Sequence, residues 1–161
     1  MALATDMLAT PTLNLRRIFD APRELVWRAW TRPEMLVAWL GPPEWPAVSA
    51  EQDLRPGGAW RACLRSVTDD RLLWQSGVYR EVAPPERLVF SFKWESDDHE
   101  DGAPVETLVT VLLTELSDGR TQMEFTQQGL KSEQSLAGHR HGWTGTFDRL
   151  EQWLHVEGRT T

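Results

Sequence analysis

The sequence predicts an α+β fold in which one antiparallel sheet is covered by a long C-terminal helix. Two patterns predict this fold: alternation of apolar and polar residues through the middle of the chain, and a helical repeat of apolar residues near its end. The length of 161 residues is close to the roughly 150 residues typical of one domain. A chain of this size buries a core without needing disulfides or a structural metal.

A strand and two short helices are expected first. Residues 12–19 alternate in the manner of a half-buried strand. Asp20 is the expected N-cap of the first helix, with Pro22 in the first turn. Residues 34–40 predict a second short helix, which Gly41-Pro42-Pro43 ends, because this sequence cannot continue a helix.

Six further strands are expected after Pro46, each separated from the next by turn residues. They span residues 48–54, 59–66, 72–82, 87–94, 105–116 and 121–128. Tight turns are expected at Arg55-Pro56-Gly57-Gly58 and at Asp118-Gly119, where a glycine can adopt positive φ. Gly77 is interpreted as a β-bulge, and the acidic connection of residues 95–102 is expected to be a solvated loop.

The last predicted element is a long helix over residues 133–155, capped by Ser132. Its apolar residues form one stripe along the helix, namely Leu136, Trp143, Phe147, Leu150 and Leu154. A helix of this length is about 34 Å long and can cover the apolar face of an antiparallel sheet. Around this single domain of residues 11–156, we expect a disordered leader at residues 1–10 and a C-terminal tail at residues 157–161.

Composition and charge exclude several classes of protein. The net charge of −7 opposes nucleic-acid binding and a polybasic membrane surface, since both need a positive field. The sequence has neither an apolar segment long enough to insert into a membrane nor a signal peptide, so a cytoplasmic location is expected. One cysteine, Cys63, and four scattered histidines predict no metal site, and no cofactor is expected.

Five segments in order resemble a known family over nearly the whole domain. They are RIFDAPRELVWRAWT at residues 17–31, DLRPGGAW at 53–60, GVYREV at 77–82, PPERLVF at 84–90 and Gly142-Trp143. The chain resembles the START-like (SRPBCC) superfamily, and within it proteins similar to the C-terminal domain of the heat-shock protein 90 ATPase activator. The resemblance implies a helix-grip fold: a curved antiparallel sheet wrapped around the C-terminal helix, with a cavity between them. It supplies no catalytic residue. The additional N-terminal domain with which the activator engages the chaperone has no counterpart in this chain, which weakens the expectation of a chaperone partner.

The expected site is an apolar cavity between the sheet and the last helix. Its candidate lining residues are Trp60, Phe90, Phe92, Trp94, Val109, Val111, Met123, Phe125, Trp143, Phe147 and Leu150. Apolar walls with few polar groups are the usual form of a small-molecule site. The competing interpretation is a filled core without a cavity, because aromatic residues most often pack against one another.

Three functions stay open at this point. The first is a small-molecule binding protein that holds an apolar or aromatic ligand by burial. The second is a protein-interaction or co-chaperone-like module that uses an outer surface such as residues 39–45. Whatever the function, a homodimer is an expected assembly, because small domains often pair by two-fold symmetry. The third is a cyclase or dehydratase, which the apolar inward faces disfavour, because catalysis needs polar groups inside the cavity.

Three glycines, Gly138, Gly142 and Gly145, lie on one side of the predicted last helix. Each costs the helix about 1 kcal/mol relative to alanine, so some close neighbour or open space is expected beside them. The neighbour could be the tryptophans of the short helices (Trp27, Trp30 or Trp39), a second subunit or a ligand.

Overall fold

Seven strands and three helices follow one another in the computed structural model, which describes residues 10–96 and 103–160. In chain order they are β1 (Thr12–Phe19), α1 (Arg23–Thr31), α2 (Pro33–Trp39), β2 (Ala47–Gln52), β3 (Ala59–Arg65), β4 (Leu72–Ala83), β5 (Arg87–Trp94), β6 (Thr107–Glu115), β7 (Thr121–Gln128) and α3 (Glu133–Thr160). The strands form one antiparallel sheet in the order β1-β7-β6-β5-β4-β3-β2. The predicted α+β helix-grip fold is confirmed. Most of the expected leader (residues 1–9) and most of the acidic connection (residues 97–102) lie outside the described residues.

The predicted strands agree with the observed ones to within about two residues at each end. The two tight turns are confirmed, with φ of +86° at Gly57 and +88° at Gly119. The last helix is longer than predicted, since it continues beyond His155 to Thr160. No helix in the described part of the chain is long and apolar enough to cross a membrane.

The start of α1 differs from the prediction, whereas the start of α3 agrees with it. Pro22 is the N-cap of α1, with extended backbone and no capping side chain. The residue before a proline is restricted to extended conformations, so the helix cannot begin at Ala21 and Asp20 lies too far back to cap it. At α3, the Ser135 N–H donates to Ser132 Oγ at 3.0 Å, which is the predicted cap.

Gly77 is not a β-bulge. It pairs with Trp60 in the regular ladder between β3 and β4, and the register shift between β4 and β5 lies between Tyr79 and Glu81. A Cβ atom at position 77 would collide with the backbone oxygen of Ser91 and lie 2.6 Å from the Trp60 indole nitrogen. The glycine is required because backbone and indole approach it closely.

Trp30 of α1 is the centre of the core. Its ring contacts five other aromatic rings at centroid distances from 4.8 to 6.5 Å, and these belong to Trp39, Phe90, Phe125, Trp143 and Phe147. Rings from the short helix, the sheet and α3 therefore fill the middle of the interface between sheet and helix. Among the described residues, the open space of this interface lies to the side of the cluster.

Candidate functional site

A half-enclosed cavity of about 230 Å³ lies at one end of the interface between the sheet and the first half of α3. The loop after α2, strands β3 to β5 and α3 all contribute to its walls. The lining residues are Leu40, Gly41, Pro42, Trp45, Leu64, Arg71, Leu73, Gln75, Phe92, Trp94, Gly138, His139, Gly142, Trp143 and Thr146. An apolar cavity of about 150 Å³ holds a benzene molecule, so this larger one has room for two fused rings.

A second, much smaller void of about 20 Å³ lies deeper, beside the central aromatic cluster. Gln75, Leu40 and Trp143 line both spaces. Trp30 and Tyr79 line only the inner void. Its volume is about that needed by one water molecule, so it is too small to be a ligand site of its own.

The predicted site residues divide into three groups. Phe92, Trp94 and Trp143 line the larger cavity, while Trp60 and Phe90 line the inner void. The remaining six are buried core residues that line neither space, namely Val109, Val111, Met123, Phe125, Phe147 and Leu150. The predicted residues of β6 and β7 face the ring of Trp30 and the other rings of the aromatic cluster, which fill the space expected for the cavity.

Sequence reasoning missed the loop after α2 and the inward face of β4. Leu73 and Gln75 share that face with Tyr79 because side chains alternate along a strand. Their spacing of two residues was a usable signal for the sheet wall. The position of Leu40 and Trp45 at the cavity had no such signal, because the path of the loop depends on tertiary contacts.

Arg149 of α3 holds the loop after α2 in place at the mouth of the cavity. Its guanidinium donates hydrogen bonds to three backbone oxygens, those of Ala38 at 3.0 Å and of Leu40 and Gly41 at 2.8 Å each. Burial lowers the pKa of Arg149, but a guanidinium stays charged at neutral pH. These charge-assisted bonds fix two of the residues that line the cavity.

The three helix glycines have different neighbours. A Cβ atom at Gly145 would lie 3.1 Å from Pro42 Cβ and from Pro43 Cδ, whereas one at Gly138 or Gly142 would meet nothing within 4 Å. The expected packing of these glycines against the tryptophans of the short helices is therefore not what the structure shows. One glycine admits the loop after α2, and the other two leave space at the wall of the cavity.

His139 lines the cavity with both ring nitrogens engaged. Its Nδ1 lies 2.8 Å from the backbone oxygen of Ser135, and its Nε2 lies 3.1 Å from the indole nitrogen of Trp94. Because an indole N–H can only donate, Nε2 accepts and the ring proton is on Nδ1. This arrangement orients the ring as part of the wall and does not present a general base to the cavity.

The other polar groups at the cavity are Thr146, Gln75 and Arg71. Thr146 Oγ1 donates to the Gly142 backbone oxygen at 2.7 Å. Gln75 is only 3% exposed, yet its side-chain amide has no hydrogen-bond partner among the described residues. Arg71 is exposed at the mouth, with its guanidinium carbon 5.9 Å from the ring centroid of Trp45.

The titrating groups near the sheet wall do not form a catalytic set. Burial raises the pKa of Tyr79 to about 12, so its phenol is neutral at physiological pH. Burial also raises the pKa of Cys63, which keeps that thiol protonated and unreactive. Within the described residues, no group of three or more His, Cys, Asp or Glu side chains is suited to hold a metal ion.

Several solved structures share this fold over almost the whole chain. A protein from Nitrosomonas europaea is 28% identical with a TM-score of 0.76, covering 92% of this chain and 96% of that one. A protein from Arthrobacter aurescens is 27% identical with a TM-score of 0.77, covering 90% and 86%. The AHSA1 protein of Silicibacter pomeroyi, at 21% identity and a TM-score of 0.78 with 91% and 99% covered, shows the fold alone.

No curated protein matches the chain. A family model described as Activator of Hsp90 ATPase homolog 1-like protein matches residues 20–155. The match includes both short helices, all strands after β1 and most of α3, and it agrees with the resemblance found in the sequence. The chain therefore belongs to the Activator of Hsp90 ATPase homolog 1-like family, with the SRPBCC-type helix-grip fold.

Proposed function

We propose that this protein binds a small apolar or aromatic molecule in the cavity between α3 and strands β3 to β5. The observation that supports the proposal is a cavity of about 230 Å³ in a core that is otherwise filled by aromatic rings. Protein interiors normally pack as densely as organic crystals. Space of this size leaves the groups around it without dispersion partners and lowers stability, which a ligand would restore.

The two glycines at the wall support the same conclusion. Gly138 and Gly142 leave open space where larger residues would fill the cavity. Alanine at either position would favour the helix by about 1 kcal/mol. Two glycines therefore make this helix less stable than alanines would. A binding function explains why they are there, because they keep space for a ligand.

The energy available fits a weak to moderate binding protein. A ligand that buries about 300 Å² of apolar surface gains about 7 kcal/mol at 25 cal/mol per Å². Association costs several kcal/mol in lost translational and rotational freedom. The expected dissociation constant is therefore micromolar or weaker.

Binding fits the cavity better than catalysis. The described lining residues include no carboxylate, and the nitrogens of His139 are engaged by Ser135 and Trp94. The outer-surface alternative loses one of its anchors, because Trp39 is fully buried and Trp45 is half-buried against the cavity. A chaperone partner, a homodimer and the cytoplasmic location stay predictions.

The test is calorimetric titration of the protein with 2-methylnaphthalene. We expect saturable binding to the wild-type protein and at least a tenfold loss of affinity in Gly142→Leu, whose new side chain would fill the cavity. The matched control is Ala137→Leu, which adds a leucine at an exposed position on the same helix. The proposal is wrong if the wild-type protein shows no saturable binding, or if folded Gly142→Leu binds as tightly as the control.

A further inference from the structure

We propose that the ligand carries a polar edge on which a hydrogen-bond donor lies beside an acceptor, as in an aryl amide or a lactam, and that Gln75 binds that edge. This inference rests on the proposed function, since it names the chemical class of the molecule that the same cavity would hold. It begins from the buried polar side chain on the cavity wall, Gln75, for which the described structure shows no hydrogen-bond partner.

Gln75 lies where strand alternation would place an apolar residue. Its neighbours on the inward face of β4 are Leu73 and Tyr79, and the side chain is 3% exposed. It borders both the larger cavity and the inner void. A long polar side chain in this position is removed from bulk water but is in contact with the contents of the cavity.

The other buried glutamine of the core, Gln127, has a partner at each polar atom of its amide. Gln127 Nε2 donates to Thr107 Oγ1 at 3.0 Å, and its Oε1 accepts from the Trp143 indole N–H at 2.9 Å. The amide of Gln75 has no such partner among the described residues. Most buried polar side chains have at least one partner. The amide atoms of Gln75 are not among the fully enclosed unpaired atoms of the described residues, so they are in contact with the space of the cavity. The contrast within one core indicates that the partner of Gln75 comes from the cavity.

The inner void supplies a second polar group of the same kind. Trp30 lines that void, and its indole N–H has no hydrogen-bond partner among the described residues. Because Gln75 lines both spaces, a polar ligand group that binds beside Gln75 also lies close to the void that Trp30 lines. An acceptor such as a carbonyl oxygen is the group that a lone indole donor favours.

The chemistry of the amide selects the class of ligand. The amide of Gln75 has an NH₂ donor and a carbonyl acceptor that are bonded to the same carbon and lie in one plane. A ligand amide or lactam offers the complementary pair and can satisfy both at once. A hydrocarbon satisfies neither, and a carboxylate satisfies only the donor while leaving the carbonyl unpaired.

Arg71 suggests a different ligand, an apolar anion held at the mouth. Its guanidinium lies at the mouth of the cavity, but the side chain is exposed. Solvent screens a charge in that position and limits what a contact there contributes. The buried amide favours the donor and acceptor pair, and the anion becomes an outcome of the test.

The experiment compares three probes of nearly the same shape, 2-naphthamide, 2-methylnaphthalene and 2-naphthoate, by calorimetric titration. We expect the wild-type protein to bind the amide about tenfold more tightly than the hydrocarbon, as two hydrogen bonds to a buried group allow. Gln75→Met replaces the amide with an apolar side chain of similar length. It should bind the amide no better than the hydrocarbon while binding the hydrocarbon at least as tightly as before.

A second measurement needs no variant. In the wild-type protein, the NMR signals of the Gln75 side-chain NH₂ should shift when 2-naphthamide binds and stay nearly unchanged with 2-methylnaphthalene. Equal affinity for the amide and the hydrocarbon, without this shift, overturns the inference and leaves the proposed function intact. If 2-naphthoate binds most tightly of the three probes and Arg71→Gln removes that preference, the inference is wrong and the ligand is an apolar anion. Failure of all three probes to bind overturns both proposals.

Discussion

The close approach around Gly77 shows how one residue controls the packing of the sheet. The Trp60 indole N–H crosses β4 and donates to the Ser91 backbone oxygen at 2.9 Å, beside the α-carbon of Gly77. The hydroxyl of Ser91 accepts the N–H of Val78 at 2.9 Å. These bonds replace ordinary ladder contacts between β4 and β5, so the backbone oxygen next to Gly77 is held in place.

We predict that Gly77→Ala lowers the free energy of unfolding by about 3 kcal/mol, as expected for overpacking against backbone that cannot move. Urea denaturation followed by circular dichroism measures the change. The control, Ser76→Ala, removes a single hydroxyl group from the opposite face of β4 and should change stability by less than about 1 kcal/mol. Equal midpoints for the two variants would contradict the close approach.

Tyr79 supplies a single-residue probe of burial, since it is the only tyrosine in the chain. Burial raises its pKa to about 12, although the hydrogen bond from Gln52 at 2.7 Å acts in the opposite direction. An unfolded tyrosine has a pKa of about 10. Because the pKa of Tyr79 is higher in the folded protein, the protonated phenol stabilises the folded state. This stabilisation is fully present below about pH 10.

We predict that stability falls as the pH rises from about 10 to 12, with Tyr79 contributing about 1.4 kcal/mol per pH unit. Near-ultraviolet absorbance of tyrosinate should give a midpoint near 12 in the folded protein and near 10 in urea. Urea denaturation of Tyr79→Phe across the same pH range isolates this contribution from other titrating groups. A folded midpoint near 10, or the same pH dependence in both proteins, would contradict the burial of the phenol.

At the scale of elements, α3 has two kinds of glycine position along one helix. Gly145 lies against the two prolines of the loop after α2, while Gly142 faces the cavity with nothing near an added Cβ. Helix propensity favours alanine equally at both positions. Only the neighbouring residues differ between the two positions. Alanine substitutions at both positions therefore separate the effect of helix propensity on stability from the effect of packing.

We predict that Gly142→Ala raises the free energy of unfolding by up to about 1 kcal/mol. Gly145→Ala should gain less or lose stability, because its Cβ would lie 3.1 Å from Pro42 and Pro43 and the loop that they belong to is held by Arg149. Thermal denaturation of the two variants beside the wild-type protein checks the order. If Gly145→Ala were the more stable variant, the contact between α3 and the loop would be wrong.

The secondary elements were predictable because local patterns determine them. Alternation identified β5, and Ser132 identified the start of α3, since each signal involves residues that are close in the sequence. The lining of the candidate cavity was predictable only in part. Phe92, Trp94 and Trp143 were found because apolar stripes mark inward faces. The position of the open space depended on how far the ring of Trp30 reaches into the core, and no local pattern records that distance.

Across the whole molecule, the interface between sheet and helix has a filled half and an open half. The side chains of β1, β6 and β7 pack around the aromatic cluster without lining either space, whereas β3, β4 and the end of β5 form the wall of the cavity. This division allows one end of the interface to remain open, because the other end supplies the close packing that keeps the chain folded.

A matched pair of leucines tests this division. Leu113 on β6 is buried in the filled half, and Leu73 on β4 is buried beside the cavity. We predict that Leu113→Ala lowers the free energy of unfolding by about 4 kcal/mol and Leu73→Ala by only about 2 kcal/mol. The chemistry of the two changes is the same, but the Leu73 side chain already borders open space and has fewer dispersion contacts to lose. Urea denaturation measures both values.

Leu73→Ala should also enlarge the cavity, so this variant should bind a probe one ring larger than naphthalene, whereas Leu113→Ala should not. Equal losses of stability, together with unchanged probe size in Leu73→Ala, would mean that both halves of the interface are equally filled in solution.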